Sequence, residues 1–172
     1  MAANGKVRWG IISTANIGVA KVIPAIQKSA HSEVVAIGSR DAARARAAAD
    51  DLCIPRAFGS YEELLADPEI DAVYNPLPNH LHVDLTLAAA RAGKHVLCEK
   101  PIGMNAADAE RLREIPEGIV FMEAFMVRSH PQWARAREII RSGELGEVRA
   151  VRGVFTYFNT DPANVRNIAD IG

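Results

Sequence analysis

The sequence predicts an α/β protein built around a doubly wound parallel sheet. Short β-branched runs alternate with alanine-rich amphipathic runs along most of the chain, as they do in successive βαβ units. The first predicted strand leads into a turn of small residues at 13–18. A later strand delivers Glu99 and Lys100 together at its carboxyl end. Because open parallel sheets bind ligands at that end of their strands, the two segments are expected to face one crevice.

Composition and charge limit the class of protein. The chain has 172 residues, 49% of them apolar, which suffices for one well-cored domain and some further polypeptide but not for a second complete domain. Its 20 basic and 21 acidic residues give a net charge of −1, which favours neither a nucleic-acid partner nor a membrane-surface partner. The first six residues lack an apolar signal core, and no run approaches the ~20 apolar residues of a membrane span. We therefore expect a soluble cytoplasmic protein.

The elements of the sheet follow from the alternating pattern. Strands are predicted over residues 6–12, 33–38, 56–58, 72–75, 95–98 and 118–122. Helices are predicted between them, over residues 17–28, 42–51, 61–66, 80–92 and 106–115. Ser60, with Glu63 three residues later, has the form of a capping box for the third helix. Gly93 is placed to end the fourth helix.

The last part of the chain does not continue the βαβ pattern. After Pro131 the sequence predicts a helix over 132–141, ended by Ser142 and Gly143, and then one long alternating strand over 147–158. That strand belongs to no βαβ unit. The tail over 159–172 is rich in Asn, Asp and Pro and is predicted to be a loop.

The turn after the first strand is a candidate dinucleotide site. Its residues occupy the place of a GxGxxG fingerprint, in which small residues let backbone N–H groups and a helix N-terminus approach a pyrophosphate. The candidate cofactor-binding residues here are Ser13, Thr14, Ala15, Asn16 and Ile17. Since Ser13 and Ala15 replace two of the three glycines, the pattern is equally consistent with a plain, tight strand-to-helix turn.

The end of the second predicted strand indicates which dinucleotide would bind. NAD-specific proteins place an acid there for the ribose 2′-hydroxyl, whereas this chain has Ser39 and Arg40. An arginine suits a 2′-phosphate, so the expected cofactor is NADP. Asp41 is better explained as the N-cap of the following helix. The alternative is that Arg40 is an ordinary solvated surface residue.

A proline-stiffened loop after the fourth strand is predicted to form the far wall of the crevice. Its candidate cofactor-binding residues are Leu77, Pro78, Asn79 and His82. His80 and His82 lack a matching carboxylate or thiolate cluster, and a capping or stacking role is favoured for the histidines, so no metal site is predicted. Cys53 and Cys98 have no CxxC spacing and are expected to be reduced packing residues.

The segment Glu99-Lys100-Pro101 is the strongest candidate for chemistry. Pro101 favours an extended conformation for Lys100, which would point its side chain out of the strand end into the crevice. A lysine that is desolvated there and held by a carboxylate can relay a proton near neutral pH. The alternative is an exposed ion pair on a loop.

Several of these segments together carry a resemblance. They are Gly10-Ile11-Ile12-Ser13-Thr14-Ala15, Gly38-Ser39-Arg40, Pro78-Asn79-x-x-His82, Gly93-Lys94-His95-Val96-x-x-Glu99-Lys100-Pro101 and Glu123-Ala124-Phe125-Met126-x-Arg128-x-x-Pro131. From residue 7 onward the chain resembles the glucose-fructose oxidoreductase, inositol dehydrogenase and MocA family. It is most similar to the branch that contains glucose-fructose oxidoreductase, NADP-linked xylose dehydrogenases and dimeric dihydrodiol dehydrogenase.

The resemblance implies a function and a division of the chain. It implies a Rossmann domain over residues 1–127 that binds NADP(H), with Glu99 among the cofactor-binding residues and Lys100 as the catalytic lysine near the nicotinamide. It implies hydride transfer at a sugar or polyol carbon, with Arg128 helping to close the cofactor site. Residues 128–172 would be the crossover helix and the first strand of an incomplete α+β second domain for substrate binding and dimerisation.

The chain departs from that family in one respect. Members continue past a segment like Arg166-Asn167 into a helix that carries a Tyr or His general acid, and this chain ends before it. We therefore expect a truncated enzyme whose lone strand pairs with a second copy, giving a homodimer through residues after 130. Three hypotheses stay open: an NADP-dependent oxidoreductase of sugars, a cofactor-binding fragment with little turnover, and a nucleotide-free interaction module.

Overall fold

A computed structural model describes residues 5–162, 164, 167 and 168 of the chain. Its centre is one sheet of parallel strands, which confirms the predicted fold class. The strands are β1 (Val7–Ile12), β2 (Ser32–Gly38), β3 (Arg56–Phe58), β4 (Ala72–Asn75), β5 (His95–Cys98) and β6 (Phe121–Glu123). Their spatial order is β3-β2-β1-β4-β5-β6. The order reverses between β1 and β4, so the carboxyl ends of these two strands flank a crevice at the switch point.

The helices lie where the sequence places them, with local differences. They are α1 (Ile23–Gln27), α2 (Ala42–Asp51), α3 (Tyr61–Ala66), α4 (His82–Arg91), α5 (Ala106–Glu110) and α6 (Pro131–Arg141). A 3₁₀ turn at Asn79–Leu81 leads into α4, and another at Arg111–Glu114 continues α5. The fourth and fifth predicted helices are therefore each part 3₁₀ and part α.

The first predicted helix is split by a π-helical turn. Residues Gly18–Val22 are π-helical, and the N–H of Ile23 donates to the carbonyl oxygen of Gly18, five residues back. Pro24 lies in the first turn of α1 and has no N–H to donate. Because a proline ring also crowds the carbonyl four residues earlier, a single wider turn accommodates it without ending the helix.

The helix caps follow the sequence signals. Asp41 accepts from the N–H groups of Ala43 and Arg44 at 2.9 and 3.1 Å, as expected of an N-cap. The Ser60 hydroxyl accepts from the Glu63 N–H at 3.1 Å. The Glu63 carboxylate accepts from the N–H of Gly59, one residue before the position that a capping box predicts.

The core lies on both faces of the sheet. One cluster of buried side chains packs β1, β4 and β5 against α3 and α4, and the other packs β1, β2 and β4 against α1 and α2. Leu64 of α3 is fully buried, and its methyl groups lie 3.1 Å and 3.0 Å from the points where Gly10 and Gly38 would carry a Cβ. These two glycines therefore let α3 lie close to the sheet.

Two of three expectations about local structure are wrong. The sixth strand runs over Phe121–Glu123 rather than 118–122, because Gly118 has φ of +87° and belongs to the turn before it. Cys53 is exposed, also with positive φ, so it is a turn residue rather than a packing residue. Cys98 is buried as expected, and burial raises the pKa of its thiol to about 12.

The strand expected over 147–158 does not form. These residues pair with no strand of the described chain, and Val151, Val154, Phe155 and Phe158 are exposed. A strand requires a partner for its backbone groups, and the sheet ends at β6. The preceding helix α6 packs near the 3₁₀ turn Met126–Arg128 and has no fully buried residue. The division of the chain at residue 127 stays a prediction.

Two remaining expectations bear on the ends of the chain and on membranes. The loop predicted over 159–172 lies partly outside the described residues. Arg166 and the first four residues lie outside them altogether. Among the described helices, none is both long and apolar enough to cross a membrane.

Candidate functional site

A cavity of about 410 Å³ opens at the carboxyl end of the sheet, on the β1–β2 side of the switch point. The loops after β1, β2 and β4 and the starts of α2 and α3 all contribute to its wall. The lining residues are Ser13, Thr14, Ala15, Ser39, Arg40, Asp41, Arg44, Tyr61, Leu77 and Pro78. Seven of the residues predicted from sequence are thereby brought together: Ser13, Thr14, Ala15, Ser39, Arg40, Leu77 and Pro78. A volume of this size fits part of a nucleotide.

The turn after β1 has the backbone of a glycine-rich turn without the first glycine. Ser13 has φ of +83°, a left-handed conformation that glycine adopts most easily. Its N–H donates to the carbonyl of Gly38 at 2.9 Å, and its buried hydroxyl accepts from the Ala15 N–H at 3.2 Å. These bonds stabilise the turn, so the serine performs the structural task of the missing glycine.

Two arginines that follow β2 line the cavity. Ser39 is buried, and its hydroxyl accepts from the Asp41 N–H at 3.2 Å, which sets the chain direction into α2. Arg40 is exposed at the cavity mouth, and Arg44 lies one turn into α2. The Asp41 carboxylate is engaged in capping α2. The cavity therefore presents positive charge to a ligand.

Sequence reasoning missed Arg44 and Tyr61 in this site. Arg44 could have been found, because a residue in the first turn of a helix that follows β2 must face the same edge of the sheet as Arg40. Tyr61 is contributed by α3, whose position depends on tertiary packing. Burial raises the pKa of the Tyr61 phenol, and the neighbouring Arg40 guanidinium opposes part of that shift.

Two buried side chains, those of Asn75 and His82, hold the loop after β4 by hydrogen bonds. The Asn75 amide donates to the His82 carbonyl and accepts from the Leu77 N–H, each at 3.3 Å. The His82 ring is fully buried, with Nε2 2.7 Å from the Leu77 carbonyl and Nδ1 2.6 Å from the Pro101 carbonyl. His82 therefore lies behind the crevice, where it joins two loops, rather than in the wall that sequence analysis assigned to it.

Hydrogen bonds fix the residues on both sides of Lys100. The Tyr74 hydroxyl donates to Glu99 Oε1 at 2.8 Å, and His82 contacts the carbonyl of Pro101. The Ile102 N–H donates to the Glu123 carboxylate at 3.1 Å. The Lys100–Pro101 peptide bond is cis, and Lys100 itself is exposed. Lys100 is therefore exposed rather than desolvated as the sequence predicted, and the hydrogen bonds of Glu99, Pro101 and Ile102 hold the loop that presents it.

Seven predicted site residues lie outside the lining of the cavity: Asn16, Ile17, Asn79, His82, Glu99, Lys100 and Arg128. Asn16 and Ile17 are exposed at the start of the first helical turn. Glu99 and Lys100 follow β5 on the other side of the switch point, and Arg128 follows β6 at the sheet edge. Among the described residues, no group of three or more His, Cys, Asp or Glu is arranged to hold a metal ion.

The fold and this crevice define a Rossmann-type dinucleotide-binding protein. A model of the oxidoreductase family with an NAD-binding Rossmann fold matches residues 7–118. The chain belongs to that family, which is the one that its sequence motifs resemble.

Known relatives match the chain along most of its length. An uncharacterized oxidoreductase of Rhizobium meliloti is 55% identical over 96% of this chain and 50% of its own length. A D-xylose 1-dehydrogenase (NADP(+)) of Haloferax volcanii is 52% identical over 91% of this chain and 48% of its own. The chain thus spans about half the length of the curated relatives it matches.

Solved structures show the same likeness. A 3-ketoreductase from Actinomadura kijaniata, solved with NADP and TDP-benzene, superposes with a TM-score of 0.78 at 37% identity. That match covers 84% of this chain and 45% of the ketoreductase.

Proposed function

We propose that this chain binds NADP(H) and that the whole protein is an oxidoreductase that transfers a hydride between the nicotinamide and a sugar or polyol carbon. The observation that carries the proposal is the cavity at the end of β2, where Arg40 and Arg44 converge beside the turn at Ser13. The xylose dehydrogenase and the ketoreductase, whose names include NADP, support the same cofactor.

The lining of the cavity fits the adenosine end of NADP. A 2′-phosphate carries negative charge at neutral pH, and guanidinium groups bind phosphate through charge-assisted hydrogen bonds. The turn at Ser13, Thr14 and Ala15 leads into a helix start, which suits a pyrophosphate. Leu77 and Pro78 supply an apolar face on the opposite wall. Asn16, Ile17 and Asn79 flank these two segments and are proposed to contact the same cofactor.

The extended cofactor would then cross the switch point toward β5. Its nicotinamide supplies or accepts the hydride, and Glu99 and Lys100 are the proposed contacts there. We propose Lys100 as the catalytic residue that orients the substrate oxygen and relays its proton. His82 acts through the Leu77 and Pro101 carbonyls that it contacts, so it is a positioning residue. Arg128 is proposed to close over the cofactor from the segment after β6.

The proposal is tested first by binding. Titration of NADPH fluorescence with this chain should show saturable binding that NADP⁺ displaces and NAD⁺ displaces less well. Failure to bind either phosphorylated form would favour the nucleotide-free interaction module. A sugar and polyol panel with the whole protein tests the reaction, since only turnover with NADP⁺ or NADPH separates an enzyme from a cofactor-binding domain.

The role of Lys100 is tested by separating binding from chemistry. Lys100→Met should leave the NADPH affinity of this chain within a few-fold and should abolish turnover in the whole protein. The control is Lys21→Met in the π-helical turn Gly18–Val22, which removes an exposed lysine elsewhere. If Lys100→Met instead abolishes NADPH binding while turnover per bound cofactor persists, Lys100 is a cofactor ligand rather than the catalytic group.

We also propose that the segment after residue 130 joins two copies of the chain. Supporting this, Trp133, Val151 and Phe155 are exposed by 53%, 87% and 89%, respectively, and exposed apolar surface of this kind marks protein interaction sites. Deletion of residues 147–172 should then give a monomer that still binds NADPH. Sedimentation that shows the intact chain to be monomeric at high concentration would refute the dimer.

A further inference from the structure

The carboxylate of Glu99 is fixed by a buried tyrosine on the neighbouring strand. Tyr74 belongs to β4 and is fully buried, and its hydroxyl donates to Glu99 Oε1 at 2.8 Å. β4 and β5 pair in parallel with Asn75 opposite Cys98, so Glu99 emerges at the carboxyl end of the sheet directly beside the end of β4. The Glu99 N–H also donates to the Asn75 carbonyl at 2.9 Å. Both the backbone and the side chain of Glu99 are therefore tied to β4.

The ring of Tyr74 is held on its other side by the start of the first helical segment. Its Cε1 atom lies 3.6 Å from the point where Gly18 would carry a Cβ. Burial and the Glu99 carboxylate both raise the pKa of Tyr74 well above its usual range. The phenol accordingly stays protonated and remains the hydrogen-bond donor to the Glu99 carboxylate.

A fixed negative charge beside the end of β5 would interact differently with the oxidised and the reduced form of a nicotinamide cofactor. The oxidised nicotinamide ring carries one positive charge that the reduced ring lacks, whereas the two forms are identical at the adenosine end. A carboxylate on the β5 side of the crevice therefore attracts the oxidised form more strongly than the reduced form, while the cavity on the β2 side does not distinguish them. The exposed ammonium of Lys100 acts in the opposite sense, and the Glu123 carboxylate, one strand farther out, acts in the same sense.

We infer that Tyr74 is a positioning residue that fixes the Glu99 carboxylate and thereby sets the preference of the site for oxidised over reduced cofactor. This inference rests on the proposed binding of NADP(H). Tyr74 touches neither end of the crevice directly and acts only through Glu99.

The test is the ratio of the dissociation constants for NADP⁺ and NADPH, measured with this chain at one salt concentration. Glu99→Gln removes the charge and keeps the shape, and it should weaken NADP⁺ relative to NADPH by about tenfold. Tyr74→Phe removes only the hydroxyl and should shift the ratio in the same direction by about two- to fivefold. In the double variant, Tyr74→Phe should add little to Glu99→Gln, because the hydroxyl acts through that carboxylate.

Two matched controls isolate the effect. Tyr61→Phe makes the same chemical change in the cavity on the β2 side, which is proposed to bind the adenosine end of the cofactor. It should leave the ratio of the NADP⁺ and NADPH dissociation constants unchanged, even if the affinities for both forms fall together. Glu117→Gln removes an exposed carboxylate in the turn before β6, at the opposite end of the sheet, and should also leave the ratio unchanged.

The outcomes separate this inference from the proposed function. A ratio that stays constant in Glu99→Gln, while the unmodified chain binds both forms, overturns the inference and leaves the NADP(H) proposal standing. If Glu99→Gln shifts the ratio and a folded Tyr74→Phe does not, the positioning role of Tyr74 is overturned. If Tyr74→Phe does not fold, a constant ratio in Glu99→Gln still overturns the inference, and that variant is expected to fold because Glu99 is only half-buried beyond the end of β5. If the unmodified chain binds neither form, the proposed function fails and the inference fails with it.

Discussion

Arg40 is expected to determine the preference of this chain for NADP(H) over NAD(H). The perturbation is Arg40→Ala, which removes one of the two guanidinium groups in the cavity and leaves Arg44 in place. A hydrogen bond to a charged group contributes ~1.5–3 kcal/mol. Because Arg40 is exposed and Arg44 shares the same cavity, the lower end of that range applies. A loss of ~1.5 kcal/mol corresponds to about tenfold in affinity for the phosphorylated cofactor.

The assay is fluorescence titration with NADPH and NADH at one fixed ionic strength, since salt screens exposed charges. Arg40→Ala should lower NADPH affinity about tenfold and leave NADH affinity nearly unchanged. Arg40→Asp should reverse the preference, because a carboxylate repels the phosphate and can accept from a ribose hydroxyl. Arg46→Ala is the matched control, since Arg46 lies on α2 only six residues after Arg40, is paired with Asp50 and is outside the cavity.

Two results would exclude Arg40 as the residue that selects the phosphorylated cofactor. Equal binding of NADPH and NADH by the unmodified chain would show that the cavity does not recognise a 2′-phosphate. If Arg40→Ala leaves the ratio of NADPH to NADH affinity unchanged, with NADPH still preferred, Arg44 rather than Arg40 recognises the 2′-phosphate. Arg44→Ala would then show the tenfold loss of NADPH affinity.

Two further predictions concern stability. Hydrogen bonding from Arg8 holds the pKa of Asp71 well below its usual range, so the stabilisation is present above about pH 4 and is lost as the pH falls below that value. Asp71→Asn should cost about 2 kcal/mol at pH 7 and flatten the acid limb of a urea-denaturation series, and an acid limb identical to that of the unmodified chain would contradict this. Leu64→Ala should destabilise the fold by about 3 kcal/mol, because Leu64 fills the space above Gly10 and Gly38. Leu145→Ala, at a site that is 63% exposed, should change stability little, and equal costs for the two variants would disprove the packing argument.

The sheet could be predicted from sequence because its signals are local. Each of β1, β2, β4 and β5 contains a short apolar segment that lies between turn residues. All of β4 and the last three residues of β1 and of β2 are buried, as is usual in a parallel sheet covered on both faces, whereas β5 alternates half-buried and buried residues. Asp41 and Ser60 cap helices through their own side chains within three residues. Such features depend on neighbours in the chain, and their positions follow directly from the residue types.

The parts of the site that sequence reasoning missed depend on contacts between distant residues. Tyr61 reaches the cavity because α3 packs across the sheet, and Tyr74 meets Glu99 because β4 and β5 are neighbours in the sheet. His82 is separated from Pro101 by 19 residues, yet its ring contacts the Pro101 carbonyl. A histidine at the start of a helix has the same sequence signal whether it faces a ligand or connects two loops from behind the site. Only the burial of His82 distinguishes the two roles.

The segment 147–158 shows why an alternating pattern is not sufficient to predict a strand. Alternation describes which side chains would share a face, but it does not supply the partner that satisfies the backbone N–H and C=O groups. In β5 the same kind of short run forms a strand because β4 and β6 lie on either side of it. Residues 147–158 have no such neighbour within the described chain, and Val154 is 84% exposed there. If a second copy covers these side chains, as we propose, dimerisation and strand formation should occur together. Infrared or circular dichroism spectra at increasing protein concentration should then show a rise in β content, in parallel with the sedimentation coefficient.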